Sequence, residues 1–347
     1  RHSPYVVRGV LDLEKDGFIT LIFRSMPIIF KNRYHLSNGK FMLQGKGYPW
    51  CPEIEIVDIK TKKRIRVGID LQDWTNLFSF HSFKKCDIVY KRALTEKNLK
   101  LINKIRMNFI KPFGPNCKIN ISDSRYIKTR TKSHIKQLFA KGITNPTKVG
   151  KKIIDWKINN KTNKKIITKH NPMTSAPQTD YIFFQVQYHD WGNDIAESIN
   201  RFRASIIRKM KKKFNHQFFG GMWFKNKVNP DYEDCMTNVD TDFSNYKNFI
   251  KNASIVISTN GFGGSIPWKL IEYMNMGCCI VSENNQHMFR QYVDERVISN
   301  YQTPEDCVAL CENLLKDKAL MNQKKRNSKL YYNKYLLPSA VMKQIIT

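Results

Sequence analysis

Acidic residues are scarce in this chain. Only 29 Asp and Glu stand against 59 Lys and Arg, which leaves a formal net charge of +30 over 347 residues. Such an excess favours polyanionic partners: nucleic acid, an anionic membrane surface or phosphorylated small molecules. Lys, Asn and Ile are abundant together, a combination that AT-rich coding produces, so part of the lysine reflects mutational bias. Charge alone does not choose among the three partner classes.

The spacings of a metal site are also missing. None of the eight cysteines belongs to a Cys-x2-Cys pair, and no histidine stands at zinc spacing. Cys278 and Cys279 lie in an apolar strand, and Cys307 and Cys311 share one face of a helix. We therefore expect small buried hydrophobic residues in a reducing cytoplasm, and no metal ion.

Long apolar runs are absent as well. No run approaches the roughly 20 residues that span a bilayer, and no signal peptide is visible. We expect a cytoplasmic protein, and the basic charge allows peripheral contact with an anionic membrane surface.

The first half of the chain has the pattern of a loose α/β domain. Strand-like runs cover 17 to 23, 64 to 71 and 86 to 94, and a helical stretch follows from about 95 to 110. The first half contains fewer recognisable motifs than the second half.

A basic segment and a linker follow. Between 125 and 170 there are fourteen Lys or Arg and one acid, Asp155. This segment is either a solvated connection or an electrostatic contact with phospholipid or a polyanionic acceptor. The Pro, Ser and Thr residues of 170 to 180 are typical of a linker. We predict an N-terminal α/β domain over 1–175 that includes the basic segment, a second domain over 176–330, and a C-terminal helix over 331–347 that packs back on the first domain.

The second half alternates strands with helices. Strands are predicted over 181 to 188, 217 to 224, 254 to 259 and 278 to 283. Helices are predicted over 193 to 214, near 246 to 253 and from Pro304 to about Lys316. Strands separated by helices indicate a parallel, doubly wound sheet, which binds ligands beyond the carboxyl ends of its strands.

A glycine-rich loop follows the strand 254 to 259. Gly261, Gly263 and Gly264 allow a tight turn and let a ligand approach the backbone. Ser265 is a good N-cap and Pro267 suits the first turn of a helix. The exposed amides and the helix dipole at this point favour a phosphate group.

One face of the following helix carries polar residues. Ser265, Lys269, Glu272 and Met276 fall on this face, and Ser265 to Glu272 is roughly 10 Å along a helix. Glu272 can accept hydrogen bonds from two vicinal ribose hydroxyls, and Lys269 can add charge near a diphosphate. The alternative is an ordinary turn followed by a solvent-exposed Lys269 to Glu272 pair.

The run "NASIVISTNGFGGSIPWKLIEYMNMGCCIVSE" resembles the donor-binding half of GT-B glycosyltransferases, and the resemblance extends over about residues 180 to 335. It implies two Rossmann-like domains facing a cleft, a nucleotide-sugar donor, and no metal or other cofactor. It also implies that Glu272 binds ribose, that Gly277 ends the helix, and that Gly263, Gly264 and Ser265 bind the diphosphate.

The sequence departs from the family pattern at two positions. Many retaining members carry a second glutamate where this chain has Gly264, so neither retention nor inversion follows. The usual proline before the closing valines is replaced by Cys279, which affects packing more than chemistry.

Candidate catalytic and further donor-binding residues follow other strand ends. Asp70 and Asp73 lie at the end of the strand 64 to 71, where either can serve as a base for an acceptor hydroxyl, although capping a turn or helix explains both equally well. His189 follows the strand 181 to 188, and Arg203 on the next helix can reach a diphosphate. For each, a structural or solvated position is the alternative.

We therefore expect a glycosyltransferase that moves a sugar to a glycan or lipid-linked acceptor in polysaccharide or glycoconjugate synthesis. A basic nucleic-acid-binding protein is the alternative from another class, and a nucleotide-sugar epimerase is a third. No zinc finger, helix-turn-helix or RNP-type strand is visible, so we expect no nucleic-acid partner.

Overall fold

The structure is a computed structural model, and it describes residues 3–24, 33–37, 40–44, 51–104, 109–132, 166–168, 171–225 and 227–347. Most of the basic segment 125 to 170 lies outside these residues. Among the described residues, no helix is long and apolar enough to cross a membrane.

The N-terminal unit carries two small sheets. Its elements are α1 (Ser3–Lys15), β1 (Arg33–Ser37), β2 (Lys40–Gln44), β3 (Glu53–Val57), β4 (Arg64–Asp70), β5 (Leu77–Ser79), α2 (Phe80–Lys85), β6 (Ile88–Lys91), α3 (Glu96–Lys104), β7 (Ile110–Pro112) and α4, helical over 124 to 132. One sheet has the order β3-β4-β6-β7, with β4, β6 and β7 parallel and β3 antiparallel to β4. The other is β2-β1-β5 and antiparallel.

The C-terminal unit is built on one larger sheet. Its elements are β8 (Ile166–Ile167), β9 (Ile182–Gln187), α5 (Asp194–Phe214), β10 (Phe218–Lys225), α6 (Phe243–Asn252), β11 (Ile255–Ser258), α7 (Trp268–Met276), β12 (Ile280–Glu283), β13 (Ile298–Tyr301), α8 (Pro304–Lys316), α9 (Lys318–Tyr331) and α10 (Pro338–Ile346). The strand order is β13-β12-β11-β9-β10-β8. All neighbours are parallel except β8, which is antiparallel to β10.

The central strands β9 and β11 of the larger sheet are buried on both faces because helices cover both. All four residues of β11 are buried, as are Ile182 to Val186 of β9. Continuous apolar runs of this kind are typical of parallel sheets under helices. The predicted fold class, α/β with two units built on parallel strands, is confirmed.

The predicted strand over 17 to 23 is wrong. The chain there is irregular beyond the end of α1. Ile19 and Leu21 pack against the core, and the backbone N–H of Leu21 donates to Glu14 at 3.1 Å instead of to a neighbouring strand. The alternating apolar residues of this segment pack against the core, although the segment is not a strand.

The two ends of the described chain lie together. Helix α1, which the sequence analysis did not predict, packs against α10, and a Cβ on Gly9 would lie 2.3 Å from the carbonyl oxygen of Pro338. Only a glycine permits this approach. The hydroxyl of Tyr5 donates to the carbonyl of Leu336. The C-terminal helix thereby lies on the N-terminal unit, while the domain boundaries stay predictions.

Candidate functional site

The larger sheet has a topological switch point between β9 and β11. From β9 the chain moves to β10 on one side, and from β11 it moves to β12 and β13 on the other. Helices leaving two such strands diverge, which opens a crevice beyond the carboxyl ends. The residues at those ends are Gln187 to His189 and Thr259 to Asn260.

The glycine-rich loop lies at this crevice. Gly263 and Gly264 have φ of 65° and 74°, a conformation that glycine adopts without strain. Both are exposed, and nothing lies within 4 Å of a Cβ built on Gly264. The N–H of Gly261 donates to the carbonyl of Ser265 at 2.7 Å and closes the loop. A ligand can therefore reach the loop backbone.

The expected N-cap at Ser265 is wrong. Helix α7 begins at Trp268 with Pro267 as its N-cap and no side-chain capping bond. Ser265 is buried, and its carbonyl serves the loop closure described above. Residues 265 to 267 therefore separate the glycine-rich loop from the start of the helix.

Arg203 crosses the switch point. Its guanidinium donates from Nε to Thr259 Oγ1 at 3.1 Å, from Nη1 to the carbonyl of Gln187 at 3.0 Å and from Nη2 to the carbonyl of Asn260 at 3.3 Å. The residue is 7% exposed, and burial lowers its pKa to about 10. Arg203 therefore fixes the ends of β9 and β11 and puts a positive charge in the crevice.

His189 completes this edge of the crevice. Its Nε2 lies 3.1 Å from Nη1 of Arg203, and its ring stacks on Trp191 at 4.5 Å between centroids. Asn200 holds the His189 backbone through two hydrogen bonds of 3.0 and 2.8 Å. His189 is thus a neutral neighbour of Arg203 at neutral pH, since burial and Arg203 lower its pKa to about 4.

A cavity of about 470 Å³ opens beside Arg203. The glycine loop forms one wall, and the first turns of α5 form another. Glu283, at the end of β12, lies on the same cavity, and its carboxylate accepts the backbone N–H of Asn260 at 2.7 Å. Sequence analysis missed Glu283, although its position at the carboxyl end of a predicted strand was the available signal.

Glu272 lies on a second cavity of about 160 Å³, together with Tyr246, Lys247 and Lys118. Burial raises the pKa of Glu272, while the positive charges of Lys269, Lys247 and Lys118 oppose that shift. The carboxylate is half-buried rather than solvated on a free helix face.

Lys269 lies between the two groups of residues. Its ammonium donates to the carbonyl of Gln185 in β9 and lies 4.9 Å from the centre of the Tyr246 ring. Burial, reinforced by Arg203 and opposed by Glu272, lowers its pKa to about 8. The structure thus brings Gly263, Gly264 and Arg203 to the larger cavity and Glu272 to the smaller one.

The two candidate catalytic carboxylates have different surroundings. Asp70 is 1% exposed, lies 3.5 Å from the ammonium of Lys91, and accepts the N–H groups of Gln72 and Ser79 at 3.1 and 3.2 Å. The side chain of Asp73 is 42% exposed and pairs with Arg92. Only Asp73 therefore offers a carboxylate to solvent.

Arg92 connects the N-terminal unit to the glycine loop. It donates to Asn116 at 2.7 Å, to Asp73, and to the carbonyl of Ile266 at 2.9 Å. The Trp74 ring lies 3.8 Å from a Cβ built on Gly263. Arg92 thus holds Asp73 close to the glycine loop, across the boundary between the two units. Sequence analysis missed this role of Arg92.

The sequence contains one Asp-x-Asp triplet, from Asp240 to Asp242. Asp242 caps α6 by accepting the N–H of Ser244 at 3.0 Å, and Asp240 accepts from the Asn245 amide at 2.8 Å. Within the described ranges, no cluster of three His, Cys, Asp or Glu residues has the arrangement of a metal site. The triplet organises the start of a helix.

Comparisons with known proteins found solved structures only; no family model and no curated protein matches the chain. The C-terminal domain of a glycosyl transferase group 1 family protein (LpcC) from Francisella tularensis is 12% identical, covers 46% of this chain and 88% of its own, with a TM-score of 0.33. TarM is 12% identical over 80% of this chain with a TM-score of 0.41, and the chain spans 49% of its length.

A UDP-GlcNAc 2-epimerase from Neisseria meningitidis, bound to UDP-GlcNAc, is also similar. It is 11% identical over 76% of each chain, with a TM-score of 0.33. Glycosyltransferases are thus among the structures similar to this chain, as the sequence resemblance predicted. At such identities and TM-scores, no residue's role carries over, and assignments depend on the geometry of this chain.

The lowered pKa values of His287, which is buried, and His189, which is half-buried, predict a loss of stability in mild acid. Burial, with Arg203 beside His189 and Arg92 beside His287, lowers each pKa to about 4. In the unfolded chain both histidines titrate near pH 6.5, so between pH 6.5 and 4 the unfolded state binds more protons than the folded state. The free energy of unfolding therefore keeps its full value above pH 6.5 and decreases as the pH falls from 6.5 to 4. Each histidine contributes up to about 1.4 kcal/mol per pH unit.

Urea unfolding at pH 7, 6 and 5 measures this effect. We expect a smaller decline in the double variant His189→Gln/His287→Gln than in wild type. The variant His216→Gln, at an exposed histidine, is the control and should follow wild type. Equal slopes for the double variant and wild type would contradict the prediction.

Proposed function

We propose that this protein is a glycosyltransferase that takes its sugar from a nucleotide-sugar donor bound at the β9/β11 switch point. One observation carries the proposal: the guanidinium of Arg203 and the exposed glycine loop line the same cavity beyond the strand ends. Backbone N–H groups and a guanidinium are the groups that proteins use for phosphate. The leaving diphosphate of glycosyl transfer needs such cationic stabilisation.

The remaining donor contacts are assigned by chemistry. Glu272 accepts hydrogen bonds from the ribose hydroxyls, and the lysines around its cavity compensate the donor's negative charge. Lys269 lies between this carboxylate and Arg203 and adds positive charge near the diphosphate. Ser265 contributes through the loop backbone, because its side chain is buried.

Asp73 is the acceptor-side candidate base. Its carboxylate is exposed, and it lies beside the glycine loop through Arg92 and Trp74. A base in this position can accept the proton of an acceptor hydroxyl. We propose a glycan or lipid-linked acceptor, and the charge of +30 supports contact with an anionic membrane surface.

Titration calorimetry with UDP, GDP, ADP, dTDP and CMP tests the donor class. We expect one nucleotide to bind wild type and to bind Glu272→Gln about tenfold more weakly, because a neutral amide accepts weaker hydrogen bonds from ribose. Glu305→Gln is the matched control, since Glu305 is exposed and pairs with Lys209 away from both cavities. Equal affinity for Glu272→Gln and wild type would remove the ribose assignment.

Acceptor-dependent release of the nucleoside diphosphate from the nucleotide sugar separates transferase from epimerase. A transferase supplied with a mixture of glycan and lipid-linked acceptors releases the diphosphate in proportion to product. An epimerase needs no acceptor and forms no glycosylated product. Sugar conversion in the absence of an acceptor would replace transfer by epimerisation as the function of this site.

A further inference from the structure

The two cavities at the crevice differ in charge. The larger cavity is lined by two carboxylates, Asp194 and Glu283, and one cation, Arg203. The smaller cavity is lined by Lys118 and Lys247 with a single carboxylate. Anionic groups are therefore favoured in the smaller cavity and at the glycine loop, and uncharged groups beside Asp194 and Glu283 in the larger cavity.

Glu283 is held in a fixed position on the larger cavity. Its Oε2 accepts the N–H of Asn260 at 2.7 Å, and the Asn260 side chain is held by Asn285 at 2.5 Å and donates to the carbonyl of Asn284 at 2.9 Å. A carboxylate accepts about four hydrogen bonds and can bridge two vicinal hydroxyls. A carboxylate so oriented is suited to recognise a diol.

Part of the lining of the larger cavity is apolar. Ile195, Ile199 and Phe202 form this part, and Phe202 is itself stacked on Tyr301 at 6.4 Å between centroids. The C–H faces of a sugar ring pack on such a surface while its hydroxyls point elsewhere. The lining of the larger cavity thus offers both apolar side chains and hydrogen-bonding groups, and a pyranose ring can use both.

We propose that the larger cavity holds the glycosyl group of the donor, that Glu283 accepts hydrogen bonds from its hydroxyls, and that the site selects a neutral sugar over one that bears a carboxylate. This inference rests on the proposed function and deepens it. A uronic or sialic acid would bring a third negative charge beside Glu283 and Asp194, with Arg203 as the one cation among the cavity's lining residues.

The burial of Glu283 acts in the same direction. Burial raises its pKa, and the hydrogen bonds from Asn260 and the charge of Arg203 oppose the shift. The carboxylate of an anionic sugar would oppose the ionisation of Glu283 further. Such a sugar therefore meets repulsion from Glu283 when it is ionised, and a weaker hydrogen-bond acceptor when it is protonated.

Calorimetry with four ligands tests the selection: the nucleoside diphosphate that binds best, and its glucose, N-acetylglucosamine and glucuronate derivatives. We expect wild type to bind at least one neutral derivative tenfold or more tightly than the glucuronate. In Glu283→Gln, which keeps an acceptor for Asn260, we expect about tenfold weaker binding of the neutral derivative, unchanged binding of the diphosphate, and a smaller preference against glucuronate.

Controls separate failure of this inference from failure of the proposed function. Glu233→Gln, at an exposed glutamate, should match wild type with all four ligands, and melting curves confirm that each variant is folded. Equal loss of diphosphate and nucleotide-sugar affinity in Glu283→Gln would place the nucleoside here and overturn the inference alone, as would unchanged binding of every ligand. No binding of any nucleotide to folded wild type would overturn both.

Discussion

Replacement of Arg203 by glutamine is expected to weaken binding of the nucleoside diphosphate about 100-fold. Arg203 is 7% exposed and lines the cavity beside the glycine loop, so its contact with a bound diphosphate is shielded from solvent. A hydrogen bond to a charged group contributes about 1.5 to 3 kcal/mol, and 100-fold corresponds to about 2.7 kcal/mol. Titration calorimetry with the best-bound nucleotide measures the loss.

The same substitution also removes structural contacts. The carbonyls of Gln187 and Asn260 lose their donor, and each unsatisfied group costs about 1 to 3 kcal/mol. We therefore expect a lower melting temperature, and affinity must be measured where the variant is fully folded. Arg203→Lys keeps the charge and tests whether the fork of donors or the charge alone is needed.

Arg201→Lys is the matched control on the same helix. Its side chain is 70% exposed and pairs with Glu197 one turn away, an interaction that contributes little. It should leave both affinity and melting temperature within error of wild type. An Arg203→Gln protein that binds the nucleotide as wild type does would exclude Arg203 from the donor site.

Asp70→Asn is expected to lower the free energy of unfolding by about 3 to 5 kcal/mol, the usual cost of removing one partner of a buried ion pair. Lys91 is fully buried, with Asp70 3.5 Å from its ammonium. Without the carboxylate, the ammonium stays uncompensated or loses its proton. Urea unfolding monitored by circular dichroism measures the change.

A double variant distinguishes the ion pair from other causes. Asp70→Leu with Lys91→Met removes both charges, and such replacements are often neutral or stabilising. We expect it to be more stable than Asp70→Asn. Asp234→Asn, which breaks an exposed pair with Arg208, is the surface control and should cost about 1 kcal/mol or less. Wild-type stability for Asp70→Asn would contradict the prediction.

The sequence predicted the second half well because local signals there agree. Asn193 caps α5 and Thr303 caps α8 in a capping box, and both helices begin where the spacing placed them. Gly277 ends α7 in the left-handed conformation, as the family pattern implied. The continuous apolar runs of β9 and β11 are typical of strands in a parallel sheet that helices cover on both faces.

The site was harder to predict because its contacts are distant in sequence. Arg92 and Ile266 are 174 residues apart, and the hydrogen bond between them carries no local pattern. The alternative that Arg203 is a solvated helical residue is wrong, and sequence could not exclude it for the same reason: its partners Thr259 and Asn260 belong to another strand end. Helical spacing predicts which residues share one face of a helix, but the order of the strands in the sheet decides which residues that face contacts.

Glu283 illustrates what topology adds to sequence. It closes an apolar run that reads as an ordinary buried strand, and only the order β12-β11-β9 brings it beside the glycine loop. The same order puts Glu272 on the smaller cavity, away from Gly263 and Gly264. Glu272 and Glu283 thus lie on different cavities.

A crystal structure of the protein with the nucleoside diphosphate of highest affinity tests the central claim most directly. We predict the diphosphate within hydrogen-bond distance of the backbone N–H groups of the loop 261 to 264 and of the Arg203 guanidinium, with the ribose on Glu272. A nucleotide bound away from the β9/β11 crevice, with the loop and Arg203 unoccupied, would contradict it.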